Sequence, residues 1–132
     1  MARTEGLQPT ELELEILKVL WDESPLLVRE VRARLEERAS RTLAHSSVIT
    51  MLNIMHRKGF LKRRKEGKSF RFWPAQQKQR TVGRMTADLM SKLFNGSPAA
   101  LVVNLLEHAE VDAEELAEIR RIVARKSKET QP

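Results

Sequence analysis

Apolar residues in the first 58 positions recur at intervals of three and four, which is the spacing of amphipathic helices. A capping-box sequence at Thr10 opens the first such stretch, and Gly59 supplies a stop after the third. Polar or proline-containing segments interrupt the pattern twice. The predicted helices run from Thr10 to about Trp21, from Val28 to about Arg38, and from a cap at Ser46 or Ser47 to about Lys58.

The helical spacing gives way to alternation of apolar and polar residues after Gly59. Two short strands are predicted at 60–65 and 68–73, joined by a turn at Glu66-Gly67. Three helices followed by a hairpin is the element order of a winged helix-turn-helix domain. We therefore expect a mainly α protein in which residues 1–74 form a winged-helix domain and the hairpin is its wing.

Residues 75–132 form a second expected domain, with three helices and nearly balanced charge. The sequence Asn95-Gly96-Ser97-Pro98 separates the first two of these helices, because glycine ends a helix, serine caps one and proline suits its first position. Three helices of this length have too little mass for a deep core, so their apolar faces are expected to pack against a second copy of the chain. The expected dimerisation residues are Val82, Met85, Leu89, Leu93, Leu101, Leu105, Leu116, Ile119 and Val123.

Positive charge is concentrated in one segment of the chain. Residues 57–71 hold eight basic residues and one acidic residue, a net of +7, whereas the whole chain carries +6. Such a concentrated field favours a polyanionic partner. A hairpin that only had to discourage edge-to-edge strand pairing would need far fewer lysines. The charge pattern therefore indicates a wing that binds nucleic acid.

The third predicted helix presents a polar face opposite its apolar stripe. Small hydroxyls near the start of a recognition helix suit close approach to DNA, and the helix N-terminus favours phosphate. Basic residues of the wing are expected to contact the phosphate backbone or the minor groove. The predicted DNA-binding residues are Ser46, Ser47, Thr50, Asn53, Arg57, Lys62, Arg63, Arg64, Lys65, Lys68 and Arg71.

The composition argues against several other classes of protein. The chain has no cysteine, which excludes a disulfide framework or a thiolate metal site. No apolar stretch approaches the roughly 20 residues that span a bilayer, and the start of the chain lacks the apolar core of a secretory signal, so a cytoplasmic location without membrane insertion is expected. His45 and His56 are too far apart to share a metal ion by local spacing, and no catalytic motif is found. We expect no enzymatic activity, no cofactor and no metal.

Four stretches of the chain together form a recognisable pattern: LQPTELELEILKVLW, LLVREVRARL, LAHSSVITMLNIMHRKGFLKRRKEGKSFRFWP and LFNGSPAALVVNLLE. Through them the sequence resembles the penicillinase-repressor family over about residues 7–125. It implies a homodimeric transcriptional repressor of a palindromic DNA operator, with the hydroxyl residues of the third helix and the basic wing on DNA. It also implies that a membrane-bound β-lactam sensor protease ends repression by cleavage in the C-terminal arm, where the corresponding bond is Asn104–Leu105.

Three alternatives stay open on the sequence alone. The second half would be an ordinary subdomain of a monomer if its apolar faces packed within one chain. A winged helix can bind double-stranded RNA or another protein, although such modules usually lack the polar helix start or the basic wing, both of which this chain has. A winged-helix dimer can also sense a small ligand at its subunit interface, but no convergent polar cluster in an apolar pocket can be read from the second half.

Overall fold

The computed structural model describes residues 8–131. In this range the elements are α1 (Glu11–Asp22), β1 (Leu26–Leu27), α2 (Val28–Ala39), α3 (His45–Lys58), β2 (Leu61–Glu66), β3 (Ser69–Pro74), α4 (Lys78–Phe94), α5 (Pro98–His108) and α6 (Ala113–Thr130). The chain divides into two compact units, the first ending at Thr86 and the second beginning at Ala87, so α4 crosses the division. The mainly helical fold with a small antiparallel sheet is the one that the sequence predicts.

The first unit is built around a closed apolar core. Side chains from α1, α2, α3 and the sheet meet in it, and the predicted apolar stripe of α3 faces inward. With that stripe fixed in the core, the opposite face of α3 must point outward. Each of these core residues is at most 2% exposed: Ile16, Leu20, Val31, Leu35, Val48, Leu52, Met55, Leu61 and Phe72.

The predicted capping box at the start of α1 is confirmed. The Thr10 N–H donates to Glu13 Oε1 at 2.9 Å, and the Glu13 N–H donates to Thr10 Oγ1 at 3.2 Å. The second carboxylate oxygen of Glu13 accepts a hydrogen bond from Lys58 Nζ at 2.8 Å, and Glu13 is only 1% exposed. Glu13 therefore ties the end of α3 to the start of α1 and helps to fix the direction in which α3 runs.

The start of α3 differs from the prediction. The helix begins at His45 and its N-cap is Ala44, so the expected caps at Ser46 and Ser47 are wrong. The Ala44 carbonyl accepts hydrogen bonds from the N–H groups of Ser47 and Val48, and this backbone pair starts the helix without a side-chain cap. Both serine hydroxyls consequently lie in the first helical turn and are exposed there.

The sheet has the strand order β1-β3-β2, and both pairings are antiparallel. β2 and β3 form the predicted hairpin, whose turn contains Gly67 at a φ of 63°. β1 is not predicted by the sequence pattern, because two residues are too few to show alternation. Leu26 and Leu27 pair with Phe72 and Arg71, and this pairing anchors the hairpin to the segment that precedes α2.

α5 and α6 each begin at a side-chain cap, and that of α5 is the predicted Ser97. The side chain of Ser97 accepts a hydrogen bond from the Ala100 N–H at 3.1 Å, and Asp112 Oδ1 accepts one from the Glu115 N–H at 2.8 Å. Pro98 occupies the first turn of α5. In contrast to α1, α2 and α3, none of the described residues of α4, α5 and α6 is fully buried.

Candidate nucleic-acid interface

The outer face of α3 carries a row of polar side chains. Ser46, Thr50, Asn53 and Arg57 follow one another at intervals of four, three and four, which places them along one side of the helix. Ser46, Thr50 and Arg57 are exposed, Asn53 is half-buried, and Ser47 is exposed beside the row. This face therefore offers small hydroxyls at the start of the helix and a guanidinium at its end.

Arg63 of β2 links the wing to the polar face of α3. Its Nη1 donates a hydrogen bond to Asn53 Oδ1 at 2.9 Å, and its guanidinium carbon lies 4.1 Å from the centre of the Phe70 ring. The amide and the ring together hold the guanidinium between α3 and the hairpin, since a cation is attracted to an aromatic face. The polar face of α3 and the wing are thereby joined in one cationic surface.

Four of the other predicted cations of the wing point into solvent. Lys62 and Arg64 alternate with Arg63 and Lys65 along β2, so the two pairs lie on opposite faces of the hairpin. Lys68 lies in the turn between β2 and β3. All but Arg63 are exposed, and a duplex that approached the wing would meet positive charge along both faces.

Arg71 differs from the other predicted DNA-binding residues because its guanidinium is already bound. Its Nε lies 2.9 Å from each carboxylate oxygen of Glu66, and its Nη1 lies 3.2 Å from Glu30 Oε1. The hydrogen bond from Arg71 lowers the pKa of Glu66, and the charges of Arg64 and Arg29 lower it further. Two carboxylates therefore offset the charge of Arg71, which contributes less to the field of the wing than the exposed cations do.

Three residues that the sequence pattern does not assign to the interface lie beside this surface: His45 and Ile49 of α3 and Arg29 of α2. Ile49 is 39% exposed on α3, and it lines a cavity together with His45 and Asn53 of the same helix. Arg29 of α2 and Arg63 line the same cavity. His45, Ile49 and Asn53 are four residues apart, and this spacing could have predicted that they share one side of α3. An isoleucine in an amphipathic helix is, however, ordinarily assigned to the core.

The histidines of the described chain do not assemble a metal site. Within residues 8–131, no group of three or more histidine or acidic side chains is placed to hold a metal ion. His56 lies half-buried on α3, and its pKa is lowered first by burial and then by the positive charge of Arg63. None of the helices within these residues has both the length and the apolar character needed to traverse a bilayer.

The predicted dimerisation residues lie on α4, α5 and α6, where solvent reaches all of them. Leu93 is 67% exposed, Val123 is 60% exposed and Leu105 is 50% exposed. Large exposed apolar patches are typical of interaction sites, so these side chains are candidates for an interface. Of the others, Val82, Leu89 and Leu116 are exposed, whereas Met85, Leu101 and Ile119 are half-buried.

The predicted cleavage site lies within a regular helix. Asn104 and Leu105 are both exposed residues of α5. The Asn104 carbonyl oxygen lies 3.1 Å from Nδ1 of His108, one turn further along the same helix. The bond between Asn104 and Leu105 is therefore accessible at the surface but held in helical geometry.

Comparison with known proteins identifies the family. The sequence model of the family described as "Penicillinase repressor" matches residues 9–125. The chain is 28% identical over 116 residues to the "Penicillinase repressor" of Bacillus licheniformis, with 88% of this chain and 89% of that protein covered. It is 19% identical over 114 residues to the "Methicillin resistance regulatory protein MecI" of Staphylococcus aureus strain N315, with 86% and 91% covered. The solved structure of H. salinarum RosR is similar in fold, with a TM-score of 0.52 and 17% identity over 95% of this chain and 97% of that one. The chain belongs to the penicillinase repressor family, a family of transcriptional repressors and not of enzymes.

Proposed function

We propose that this protein is a DNA-binding transcriptional repressor that acts as a homodimer on a palindromic operator. The observation that carries the proposal is the hydrogen bond from Arg63 to Asn53, which joins a basic wing and a hydroxyl-bearing helix in one surface. Membership of the penicillinase repressor family supports repression as the outcome of binding. The relatives named as repressors match along most of this chain, including both of its units.

In the proposed complex, α3 lies in the major groove with its N-terminal turns closest to the bases. The hydroxyls of Ser46, Ser47 and Thr50 can donate to or accept from base edges or phosphates, and the Thr50 methyl can contact a thymine methyl. Arg57 lies at the far end of the row, towards the phosphate backbone. Because hydroxyls discriminate bases weakly, each half-site supplies modest specificity and the symmetry of the operator supplies the rest.

The exposed cations of the wing would supply most of the affinity. Lys62, Arg64, Lys65 and Lys68 are exposed, and in the proposed complex they neutralise phosphates beside the groove that α3 enters. Each phosphate contact releases condensed counterions, so affinity should fall steeply as salt rises. Six to ten contacts per dimer would reduce affinity roughly a thousandfold or more between about 50 and 200 mM salt.

The second copy of the chain would cover the exposed apolar residues of α4, α5 and α6. Burial of one leucine side chain stabilises an interface by about 1.5–3 kcal/mol, so several of them offset the loss of freedom on association. A twofold dimer can present two α3 helices about 34 Å apart, one turn of DNA. The second half-site is then bound intramolecularly, which raises the affinity for an inverted repeat.

Repression would end when a sensor protease of the membrane, responding to β-lactams, cuts the bond between Asn104 and Leu105. The helix around this peptide bond must unfold locally before a protease can bind the segment. Because α5 is exposed, the unfolded segment would be accessible to the protease. Cleavage would separate Leu116, Ile119 and Val123 on α6 from the DNA-binding unit. The dimer would then lose part of its interface, and with it the advantage of two linked half-sites.

Selection of bound duplexes from a random DNA pool, followed by fluorescence anisotropy on the recovered sequence, tests the proposal. We expect an inverted repeat whose half-sites are centred about 10 base pairs apart and which binds one dimer. Thr50→Ala is expected to change the preference among recovered sequences more than the affinity for all of them. Thr130→Ala, at the exposed end of α6, is the matched control.

The same assay separates this proposal from binding to RNA. A recognition helix cannot enter the deep and narrow major groove of A-form RNA, so duplex RNA of the recovered sequence should bind much more weakly than the DNA. Equal affinity for the two duplexes would contradict the proposal, as would recovery of sequences without an inverted repeat.

A further inference from the structure

A cavity of about 220 Å³ opens between α3 and the wing, within the surface that we assign to DNA. Its wall is apolar and its rim is cationic. Ile49 of α3 is 39% exposed and lines this cavity between His45 and Asn53, one turn before and one turn after it on the same helix. The wall includes Ile49, Phe70 and Phe72, and the rim includes Arg29, Arg63 and Lys68.

The charged groups at this cavity have one sign. Among the described residues that line it, none is acidic, whereas the three rim residues are cationic. Glu30 and Glu66, which lie near the rim, both bind Arg71 instead. An anion that enters the cavity would therefore meet a net positive rim, although Glu66 lies close enough to Arg29 for that cation to lower the pKa of Glu66.

Arg63 is prepared for such an anion. It uses Nη1 to donate to Asn53 and lies against the Phe70 ring, which leaves most of the five N–H donors of its guanidinium for another acceptor. The planar guanidinium can bind a carboxylate through two parallel hydrogen bonds. Because its position is already held, little side-chain freedom is lost when it binds.

We propose that this cavity binds a small aromatic carboxylate with a single ring, and that the bound acid competes with DNA. An apolar cavity of about 150 Å³ holds benzene, so one of about 220 Å³ can hold a ring with a carboxylate attached. The apolar wall disfavours an inorganic anion, because such an anion has no apolar surface to bury there. The cationic rim favours a ring that carries a carboxylate over an uncharged ring. The competition, but not the binding site itself, rests on the function proposed above.

The bound acid opposes DNA in two ways. Its carboxylate would occupy the donors of Arg63 and reduce the positive charge that the duplex meets. Its ring would fill the space between α3 and the wing, on the side of the helix where Ile49 and Asn53 lie. Both effects act at the contact surface itself, so no change of conformation is required for the competition.

Isothermal titration of the full chain at constant ionic strength tests the site. Sodium benzoate is the probe, benzyl alcohol is the uncharged control, and acetate is the control without a ring. We expect benzoate to saturate one site per chain with a Kd of about 1 mM or below, and both controls to bind at least about tenfold more weakly. Acetate or benzyl alcohol binding as tightly as benzoate would overturn the proposal, as would the absence of saturable binding.

Two variants locate the site, and a third provides the matched control. Ile49→Phe fills the cavity and Arg29→Ala removes a rim cation, and each should weaken benzoate binding about tenfold or more. Lys62→Ala removes an exposed wing cation that does not line the cavity, and should leave benzoate binding unchanged. Circular dichroism checks the fold. If Ile49→Phe does not fold, the benzoate affinity of Arg29→Ala, at an exposed position, is the deciding measurement. The proposal is overturned if Lys62→Ala loses as much benzoate affinity as Arg29→Ala does.

Anisotropy with the operator separates the competition from the function on which it rests. Because a dimer carries two such sites and both must be empty on DNA, benzoate should raise the apparent Kd for DNA by the square of one plus its concentration over its own Kd, and Arg29→Ala should reduce this increase. Unchanged DNA affinity at saturating benzoate contradicts the competition. If the protein does not bind DNA even without benzoate, the proposed function is contradicted instead. The calorimetric titration with benzoate then remains a separate test of the binding site.

Discussion

The two units of the chain bury their apolar residues to very different degrees. In the first unit Ile16 and Leu52 are 0% exposed, whereas in the second Leu93 is 67% and Val123 is 60% exposed. Both units have amphipathic helices, so the difference does not arise from local sequence. In the first, three helices and a sheet converge on one core. The apolar stripes of the second remain open within a single chain, and we infer that the first unit carries the stability of the fold and the second carries its association.

The largest effect should come from the core of the first unit. Leu52→Ala removes a fully buried side chain from the centre of α3 and is expected to lower the free energy of unfolding by about 2–5 kcal/mol. Urea unfolding measures it, and the loss should not depend on protein concentration. Thr50→Ala, exposed on the same helix, should change the free energy by less than about 0.5 kcal/mol. If Leu52→Ala lowered the free energy of unfolding as little as Thr50→Ala does, the claim that the first unit carries the stability of the fold would be contradicted.

The exposed apolar face of the second unit should respond differently. Leu93→Asp places a charge where we expect a dimer interface, and should raise the dissociation constant of the dimer about tenfold to a hundredfold. Sedimentation velocity over a range of concentrations measures this constant. The control Ser91→Asp adds the same charge at a neighbouring exposed position and should have little effect. If both variants dimerise like the original protein, the interface lies elsewhere.

The contact between Glu13 and Lys58 should give a smaller effect on stability. Lys58→Met leaves a carboxylate that is 1% exposed without its cation, although the partial exposure of Lys58 reduces the cost. We expect a loss of about 1–3 kcal/mol in the free energy of unfolding. Adding Glu13→Gln to Lys58→Met should recover part of it, because the buried charge is then gone. A double variant that is much less stable than Lys58→Met would show that the capping role of Glu13 dominates.

The smallest effect should be a dependence on pH that comes from His56. Burial, then the charge of Arg63, lowers the pKa of His56, so the folded protein favours the neutral imidazole. The associated stability is present above the unfolded-state pKa of about 6.5 and is lost as pH falls through the lowered folded-state value. Urea unfolding at pH 7 and pH 5 should therefore show a smaller decline for His56→Gln than for the original protein. Equal declines would contradict this assignment.

Helix ends were largely predictable from the sequence because both partners of a cap lie close together in it. Thr10, Ser97 and Asp112 each accept from an N–H three residues later, and Gly59 ends α3 at a φ of 88°. The start of α3 is the exception. Its serines have the residue type of a cap, but the backbone carbonyl of Ala44 starts the helix before them.

Contacts between distant residues were not predictable in this way. Periodicity places Arg63 and Arg71 on opposite faces of the wing, but it does not reveal that one binds Asn53 and the other Glu30 and Glu66. The two-residue strand β1 is defined only by its pairing with β3. The exposure of Ile49 likewise depends on where the hairpin lies, and the cavity beside it has no signature in the sequence. The predicted DNA-binding and dimerisation residues stay predictions until binding is measured.

The salt dependence of operator binding tests most directly whether the wing binds phosphates. Arg64→Ala combined with Lys65→Ala removes two exposed cations per subunit, and the slope of log affinity against log salt should become shallower by about three to four for a dimer. Lys18→Ala combined with Lys128→Ala removes the same charge outside the wing and should leave the slope nearly unchanged. Equal slopes for the wing variant and the original protein would contradict a phosphate-binding wing.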